Sequence, residues 1–333
     1  MKILSLSKIQ SDGAHNGFTG LAFFKNTYFV AFRNGETHNA QGARQILMTS
    51  PDGVAWKRHA ETSFSTPSDL PQGTPMDLRD NYFLNLGSEL RLYSFNVSPL
   101  VGDEYMRAPG TTVQVTKDGV EWTAPREIFS GAILWKPIFW NGSFWCAGYR
   151  RVPVEGYVVE LYKSADGFVW ERGSRIAVGN ETFLSPQSGN VLRAYVRNQN
   201  APQHLEIWEA ATPFSSWNKV GHVPKIIEAP HIIEAAGRTF LFGREAPGLD
   251  PSGTALKPFL SRSKVWEVDG CRVSEVLELP SLGDTSYFGT VVCPDGSILA
   301  SYYSQHERET NTPLEMRGGN DKPADVFIAR LEP

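Results

Sequence analysis

One arrangement of residues recurs six times along this 333-residue chain and limits what it can fold into: a tight-turn dipeptide, then a short apolar run that tends to end in arginine. The turns are Lys25-Asn26, Gly87-Ser88, Asn141-Gly142, Ser188-Gly189, Gly237-Arg238 and Asp295-Gly296. The runs that follow read YFVAFR, LRLYSFN, FWCAGYR, VLRAYVR, TFLFGR and SILASYY. Arg33, Arg150, Arg197 and Arg244 fill one slot of the pattern, and Tyr303 fills it in the last copy. A strand-built unit that returns about every 50 residues points to a β-propeller, in which equivalent strand ends meet around one axis. The four arginines are therefore expected to converge, and converging cations call for an anion.

The rest of the chain fits an all-β protein. Runs of four to eight residues rich in Val, Ile, Phe, Tyr and Trp alternate with Gly, Asn, Asp and Pro, and no helical stripe persists. A six-bladed β-propeller is expected, with blades at about 15–62, 77–129, 134–176, 181–226, 229–280 and 284–333. The N-terminal strand, 3–9, is expected to pair with Val326–Leu331 in the last blade, which closes the ring and removes an open edge. Longer insertions fall at Pro99–Pro109, Ala246–Lys257 and Arg308–Pro323, the loop type that often carries function. A net charge of −4 without a basic run argues against a nucleic-acid partner and makes the arginines a local feature. Cys146, Cys271 and Cys293 are odd in number and lack C-x-x-C spacing, so neither a disulfide framework nor a zinc site is expected. MKILSLSKIQ is no secretory signal, and no run is long enough to span a membrane, so the expectation is a cytoplasmic protein as written, secreted or periplasmic if a leader has been removed.

A second motif follows later in the first three repeats. Ser50-Pro-Asp52-Gly53-Val-Ala-Trp56, Thr116-Lys-Asp118-Gly119-Val-Glu-Trp122 and Ser164-Ala-Asp166-Gly167-Phe-Val-Trp170 share the form S/T-x-D-G-x-x-W, with degenerate versions expected near Trp217 and Trp266. Asp and the hydroxyl residue can bind local backbone, Gly supplies a positive φ, and Trp packs back on its blade. These turns resemble the Asp-box, the signature hairpin of the sialidase (neuraminidase) superfamily of six-bladed propellers, though each is one residue shorter than the usual S-x-D-x-G-x-T-W. Sialidases also resemble one another in an early Phe-Arg, a Glu followed about fifteen residues later by a second Arg, then a third Arg and a Tyr in the last blade. Phe32-Arg33, Glu181 with Arg197, Arg244 and Tyr287 occur here in that order.

The resemblance implies that Arg33, Arg197 and Arg244 clamp a substrate carboxylate, with Tyr287 as nucleophile and Glu181 as its base. A sugar whose anomeric carbon bears a carboxylate repels a carboxylate nucleophile, so a neutral phenol attacks better. The departure lies in the acid/base. Sialidases carry an Asp between the first Arg and the first Asp-box, whereas Asn34–Ser50 contains none and offers Glu36 and His38 instead. His38 is the expected proton donor. The expected activity is thus sialidase-like glycoside hydrolysis of an anionic sugar, without a cofactor. The chain is also similar to uronate-polysaccharide lyases and rhamnosidases on propellers, and a non-catalytic carbohydrate-binding propeller is a third reading.

Further candidates come from position. Arg150 shares the arginine slot, and Tyr303 and His306 are expected as sugar contacts. Trp135 can stack on a pyranose ring or pack in the core, and Asp284 is an acid or a turn cap. His15, His38, His231 and His306 lie near strand or loop edges, but no H-x-H or H-x-x-x-H spacing occurs, so no metal is expected.

Overall fold

In the computed structural model the described residues are 1–64, 69–101, 104–200, 204–248, 260–308 and 318–333. Much of the 246–257 and 308–323 insertions lies outside them. Six four-stranded antiparallel sheets follow one another around a ring. The first strands of the blades are His15–Phe24, Asp77–Asn85, Ile133–Trp140, Thr182–Gln187, Ile226–Ala235 and Ser286–Val292. Each touches the first strand of both neighbouring blades, so these six line the axis. The second strands are Thr27–Gly35, Leu90–Val97, Ser143–Val152, Val191–Asn198, Arg238–Ala246 and Ile298–Ser304. Strand Lys2–Gln10 pairs antiparallel with Asp325–Glu332 as the outer strand of the last blade, so both termini share one sheet and their pairing closes the ring.

Apolar side chains alternate along the strands and fill the spaces between blades. Phe240, Phe242, Phe288, Tyr302 and Phe327 form one such layer between the last two blades, and Trp266 fills another with Tyr195 and Leu241. Each full burial of this kind is worth roughly 1.5–3 kcal/mol against the entropy of ordering the chain. Around the axis the packing is tight enough to demand glycine. A Cβ on Gly289 would lie 2.0 Å from the Leu21 backbone nitrogen, because the first strands of the last and first blades meet there. Gly289→Ala is expected to cost about 2 kcal/mol or more, read as a lower midpoint in urea unfolding, since backbone rather than a flexible side chain blocks the methyl.

The S/T-x-D-G turns join third to fourth strands. In the first, Asp52 Oδ1 accepts from the Val54 and Ala55 amides, Ser50 Oγ accepts from the Gly53 amide, and Trp56 Nε1 donates to Gly53 O. Gly53, Gly119 and Gly167 have φ of 74°, 82° and 75°, as such a turn requires. Antiparallel pairing puts these turns on the face opposite the ends of the second strands. Trp217 stands just before a fourth strand like its counterparts, whereas Trp266 lies within a third strand, Arg262–Asp269, and belongs to no such turn.

The first strands carry a feature that alternation alone would not reveal. Register breaks occur between Gly17 and Gly20, Arg79 and Tyr82, Trp135 and Ile138, Glu228 and His231, and Ser286 and Gly289. Within them Phe18, Asp80, Lys136, Ala229 and Tyr287 have φ of 58°, 49°, 45°, 51° and 54°. A left-handed non-glycine residue is costly, and a bulge re-aims a side chain that regular pleating would send elsewhere. Only the fourth blade's first strand, Thr182–Gln187, pairs without a break.

Candidate active site

First strands begin, and second strands end, on one face of the ring. That face receives His15, Asp77, Glu181, Glu228 and Asp284 from the starts of first strands and their approaches. It receives Arg33, Arg197, Arg244 and Tyr303 from the ends of second strands. Two linked clusters result.

The first is built on Glu181. The Tyr287 hydroxyl donates to its Oε1 at 2.6 Å, while its Oε2 accepts from the Ala229 amide at 2.8 Å and lies 2.7 Å from Arg197 Nη1. Tyr287 is 7 % exposed and sits between aromatic rings, with centroids 5.0 Å from Phe18 and 5.9 Å from Trp135. Burial, then the Glu181 and Asp80 carboxylates, push the phenol well above its ordinary value, and Arg197 and Arg244 oppose this without overcoming it. The phenol is therefore protonated at rest, and it is a strong nucleophile only as its proton passes to Glu181. Glu228 joins the clusters, since Arg197 and Arg244 both bind it.

The second cluster is built on Asp284. Its Oδ2 lies 2.7 Å from His15 Nε2 and 2.5 Å from His38 Nδ1, and its Oδ1 accepts from Tyr303 at 2.7 Å and Arg244 Nη1 at 3.0 Å. Burial alone would raise Asp284, but His38 and His15 outweigh it and hold the carboxyl well below the usual range. Burial lowers His15, so it donates Nε2–H as the neutral ring and leaves Nδ1 unpartnered. His38 is held through Nδ1, and its Nε2 carries no hydrogen bond to a described residue. His15, His38 and Asp284 are also the described residues whose ligand atoms, all within 4.8 Å of one another, could hold a cation. Arg244 on the same carboxylate sets a fixed positive charge beside that position, which works against a divalent ion.

Several expected residues have other surroundings. Arg33 is fully buried. Its Nε binds both oxygens of Asp77 at 2.7 and 2.9 Å, and its Nη1 and Nη2 donate to the carbonyls of Thr37 and Ala40. Those carbonyls flank His38, so Arg33 braces the loop that carries the histidine and has no exposed surface for a ligand. Tyr303, expected as a sugar contact, is 0 % exposed, and Trp135, left open between stacking on a sugar and core packing, is 2 % exposed and packs in the core; they support Asp284 and Tyr287 from behind. His306 packs against Phe327, away from both clusters, and its nearest carboxylate is Glu307. Arg150 pairs with Glu160 and lines a cavity of about 620 Å³ that runs from Glu181 and Arg197 toward the second and third blades. Asp77, Arg79, Glu228 and Asp80 were not singled out in the sequence. The signal was present, because an acid or histidine recurs at the entry to the first strand as regularly as arginine does at the end of the second.

Beneath Tyr287 the bulged residues Asp80 and Lys136 line a small cavity with Trp135. Lys136 donates to the Phe288 carbonyl at 3.3 Å and finds no carboxylate within ion-pair distance among the described residues, and burial pushes it down to about 7. Its unfolded value is about 10.4, so the folded state gains relative stability as pH rises from 7 to 10 and loses it as pH falls through 7. Lys136→Met is expected to be more stable than wild type by a few kcal/mol near pH 6, with the gap narrowing toward pH 10. Thermal melts of both proteins across that range check it.

No family model matches the sequence, and no curated protein is similar enough to count as a relative. Solved structures do match. Trypanosoma rangeli sialidase in complex with the inhibitor DANA superposes with a TM-score of 0.65 at 12% identity over 99% of this chain and 58% of its own. The same enzyme with 2,3-difluorosialic acid, described as a covalent intermediate, gives 0.64 at 13% over 95% and 54%. The chain has the sialidase propeller fold. A GH32 beta-fructofuranosidase from Bombyx mori in complex with sucrose, a propeller more distant in shape, gives 0.53 at 15% over 98% and 62%. The sialidase-type propeller described here thus spans little more than half the length of the sialidases it matches. Among the described residues no helix is long and apolar enough to cross a membrane.

Proposed function

We propose that this chain is an exo-acting glycoside hydrolase of sialidase type that releases a carboxylate-bearing sugar. Tyr287 is the nucleophile, Glu181 its base, and His38, oriented by Asp284, the acid/base. The observation that carries the reading is the 2.6 Å hydrogen bond from the Tyr287 hydroxyl to Glu181, with the other Glu181 oxygen fixed by Arg197 and a backbone amide.

The steps follow from the geometry. The phenol oxygen attacks the anomeric carbon as Glu181 takes its proton, and His38 Nε2–H protonates the departing aglycone oxygen. Water then attacks the same carbon, giving its proton to His38, and the tyrosine leaves and recovers its proton from Glu181. Arg197 and Arg244 supply the carboxylate contacts. Arg197 Nε is buried without a partner, a donor still to be used. Arg33 is assigned to holding the His38 loop and not to the substrate. The relatives in shape support the reading, one bound to 2,3-difluorosialic acid as a covalent intermediate and another to sucrose.

Elimination on a uronate is the second reading, favoured by the meeting of His38 and Tyr303 on Asp284 beside Arg244, a base and a phenol next to a cation. The two are separated by incubating the protein with aryl α-sialoside, aryl glucuronide, aryl galacturonide, aryl rhamnoside and a uronate polymer. Hydrolytic phenol release from the sialoside is the expected result. An ultraviolet-absorbing unsaturated product from the polymer, without phenol release, would favour elimination instead.

A further inference from the structure

Resting on the proposed hydrolase reading, we infer that Lys136 is a positioning residue for the reaction: its buried ammonium braces the turn that aims Tyr287 and acts as a counter-charge to Glu181. The turn needs bracing. Ser286 and Tyr287 have φ of 92° and 54°, a conformation that is costly for non-glycine residues and persists only where the surroundings impose it. Two other blades impose it here. Thr19 Oγ1, from the first blade, donates to the Tyr287 carbonyl at 2.8 Å, and Lys136 Nζ, from the third, donates to the next carbonyl, that of Phe288, at 3.3 Å. The left-handed residues of two further bulges serve the same pair. The Phe18 ring lies 5.0 Å from that of Tyr287, and the Ala229 amide binds Glu181 Oε2. Lys136 is their counterpart in the third blade.

The charge matters as well as the hydrogen bond. Lys136 is 5 % exposed, with Nζ 5.3 Å from the centroid of Trp135, the ring that packs on Tyr287. Burying an ammonium opposes folding, so an apolar side chain would serve the fold better and the lysine calls for another use. The ionisable groups that face it are Asp80 from the second blade, Glu181 from the fourth and His231 from the fifth. Burial raises Asp80 well above the usual carboxylate range and lowers His231 well below the usual imidazole range, so both favour their uncharged forms. Burial likewise keeps Tyr82, Tyr93, Tyr149, Tyr287 and Cys146 protonated. Glu181 is then the carboxylate on which the Lys136 charge acts. Lys136 is held down at about 7, so that charge is present on the acid side of neutrality and fades above it.

The test uses Lys136→Met, the variant expected to be more stable than wild type near pH 6. Its activity is expected to move the other way. For aryl α-sialoside kcat falls about ten- to a hundredfold, and the acid limb of the kcat/KM profile moves up by about one pH unit, because a carboxylate without its nearby cation is harder to ionise. A packing role would leave that limb in place. A second measurement needs no turnover. The rise in melting temperature caused by Lys136→Met at pH 6 is expected to be larger, by about a few degrees, in a Glu181→Gln background than in wild type, since Lys136 has no counter-charge there. An unchanged acid limb and kcat in Lys136→Met, or an equal rise in both backgrounds, would overturn the inference and, with aryl sialoside still cleaved, leave the hydrolase reading standing. A background-dependent rise in a protein that cleaves no sialoside would uphold Lys136 as the counter-charge to Glu181 and remove the hydrolase.

Discussion

Tyr287→Phe lowers kcat for aryl α-sialoside hydrolysis on the order of 10³-fold or more, with little change in KM and a nearly unchanged fold. The size follows from removing the attacking atom, for which no neighbour substitutes: Phe18 and Trp135, the rings on either side, carry no nucleophile. The fold survives because the aromatic contacts remain. Glu181 loses one partner at Oε1 but keeps Arg197 and the Ala229 amide at Oε2, so the stability cost is about 1–2 kcal/mol. Steady-state kinetics beside a thermal melt read both quantities. A small loss of activity would mean that the phenol only packs.

Asp284→Asn produces the second large effect, and it acts on both rate and stability. The carboxylate accepts from His15, His38, Tyr303 and Arg244 while fully buried, and an amide can satisfy neither both histidines nor the arginine's charge. Breaking a buried ion pair on one side costs about 3 kcal/mol or more. Because the folded carboxyl is held below its unfolded value of about 3.9, this contribution is present in full above that pH and fades only as the solution becomes more acidic. Activity is expected to fall on the order of 10²- to 10⁴-fold, since the ring that delivers the proton is no longer fixed through Nδ1. Leaving-group dependence separates positioning from general damage. A nitrophenol departs with little help, so its release should suffer least, whereas sialyllactose, which needs a protonated leaving oxygen, should suffer most.

The ring of six blades was legible because its cause is local: a turn dipeptide and an alternating run make a strand pair wherever they occur, and six copies close on themselves. The pairing of Tyr287 with Glu181 is implied by the resemblance to sialidases in the order of Phe-Arg, Glu, Arg, Arg and Tyr, and the hydrogen bond between the two side chains fits it. What the order of residues hides is competition among side chains. Arg33 stands in the same slot as Arg197 and Arg244, yet Asp77 at the start of the next blade captures it, and two loop carbonyls complete its shell. Tyr303 and Trp135 read as aromatic platforms by type, but the bulge that turns Tyr287 to a positive φ brings its ring over Trp135, and Asp284 draws the Tyr303 hydroxyl inward. Bulges leave no mark in a hydrophobic pattern, so Asp80 and Lys136 passed as ordinary strand residues although their backbones turn at the axis. His306 lies in the turn that follows the strand Ile298–Ser304, where it packs against Phe327, and a strand pattern does not say where a turn residue points.

The central claim is that Tyr287 attacks an anomeric carbon and that Glu181 takes its proton. It is tested most directly by incubating the protein with 2,3-difluorosialic acid, the ligand of the Trypanosoma rangeli covalent complex, and mapping the modified peptide by mass spectrometry. The account predicts a single glycosyl adduct on the peptide containing Tyr287, formed with loss of fluoride, absent in Tyr287→Phe and much slower to form in Glu181→Gln. An adduct on another residue, or none while aryl sialoside is still hydrolysed, would contradict it.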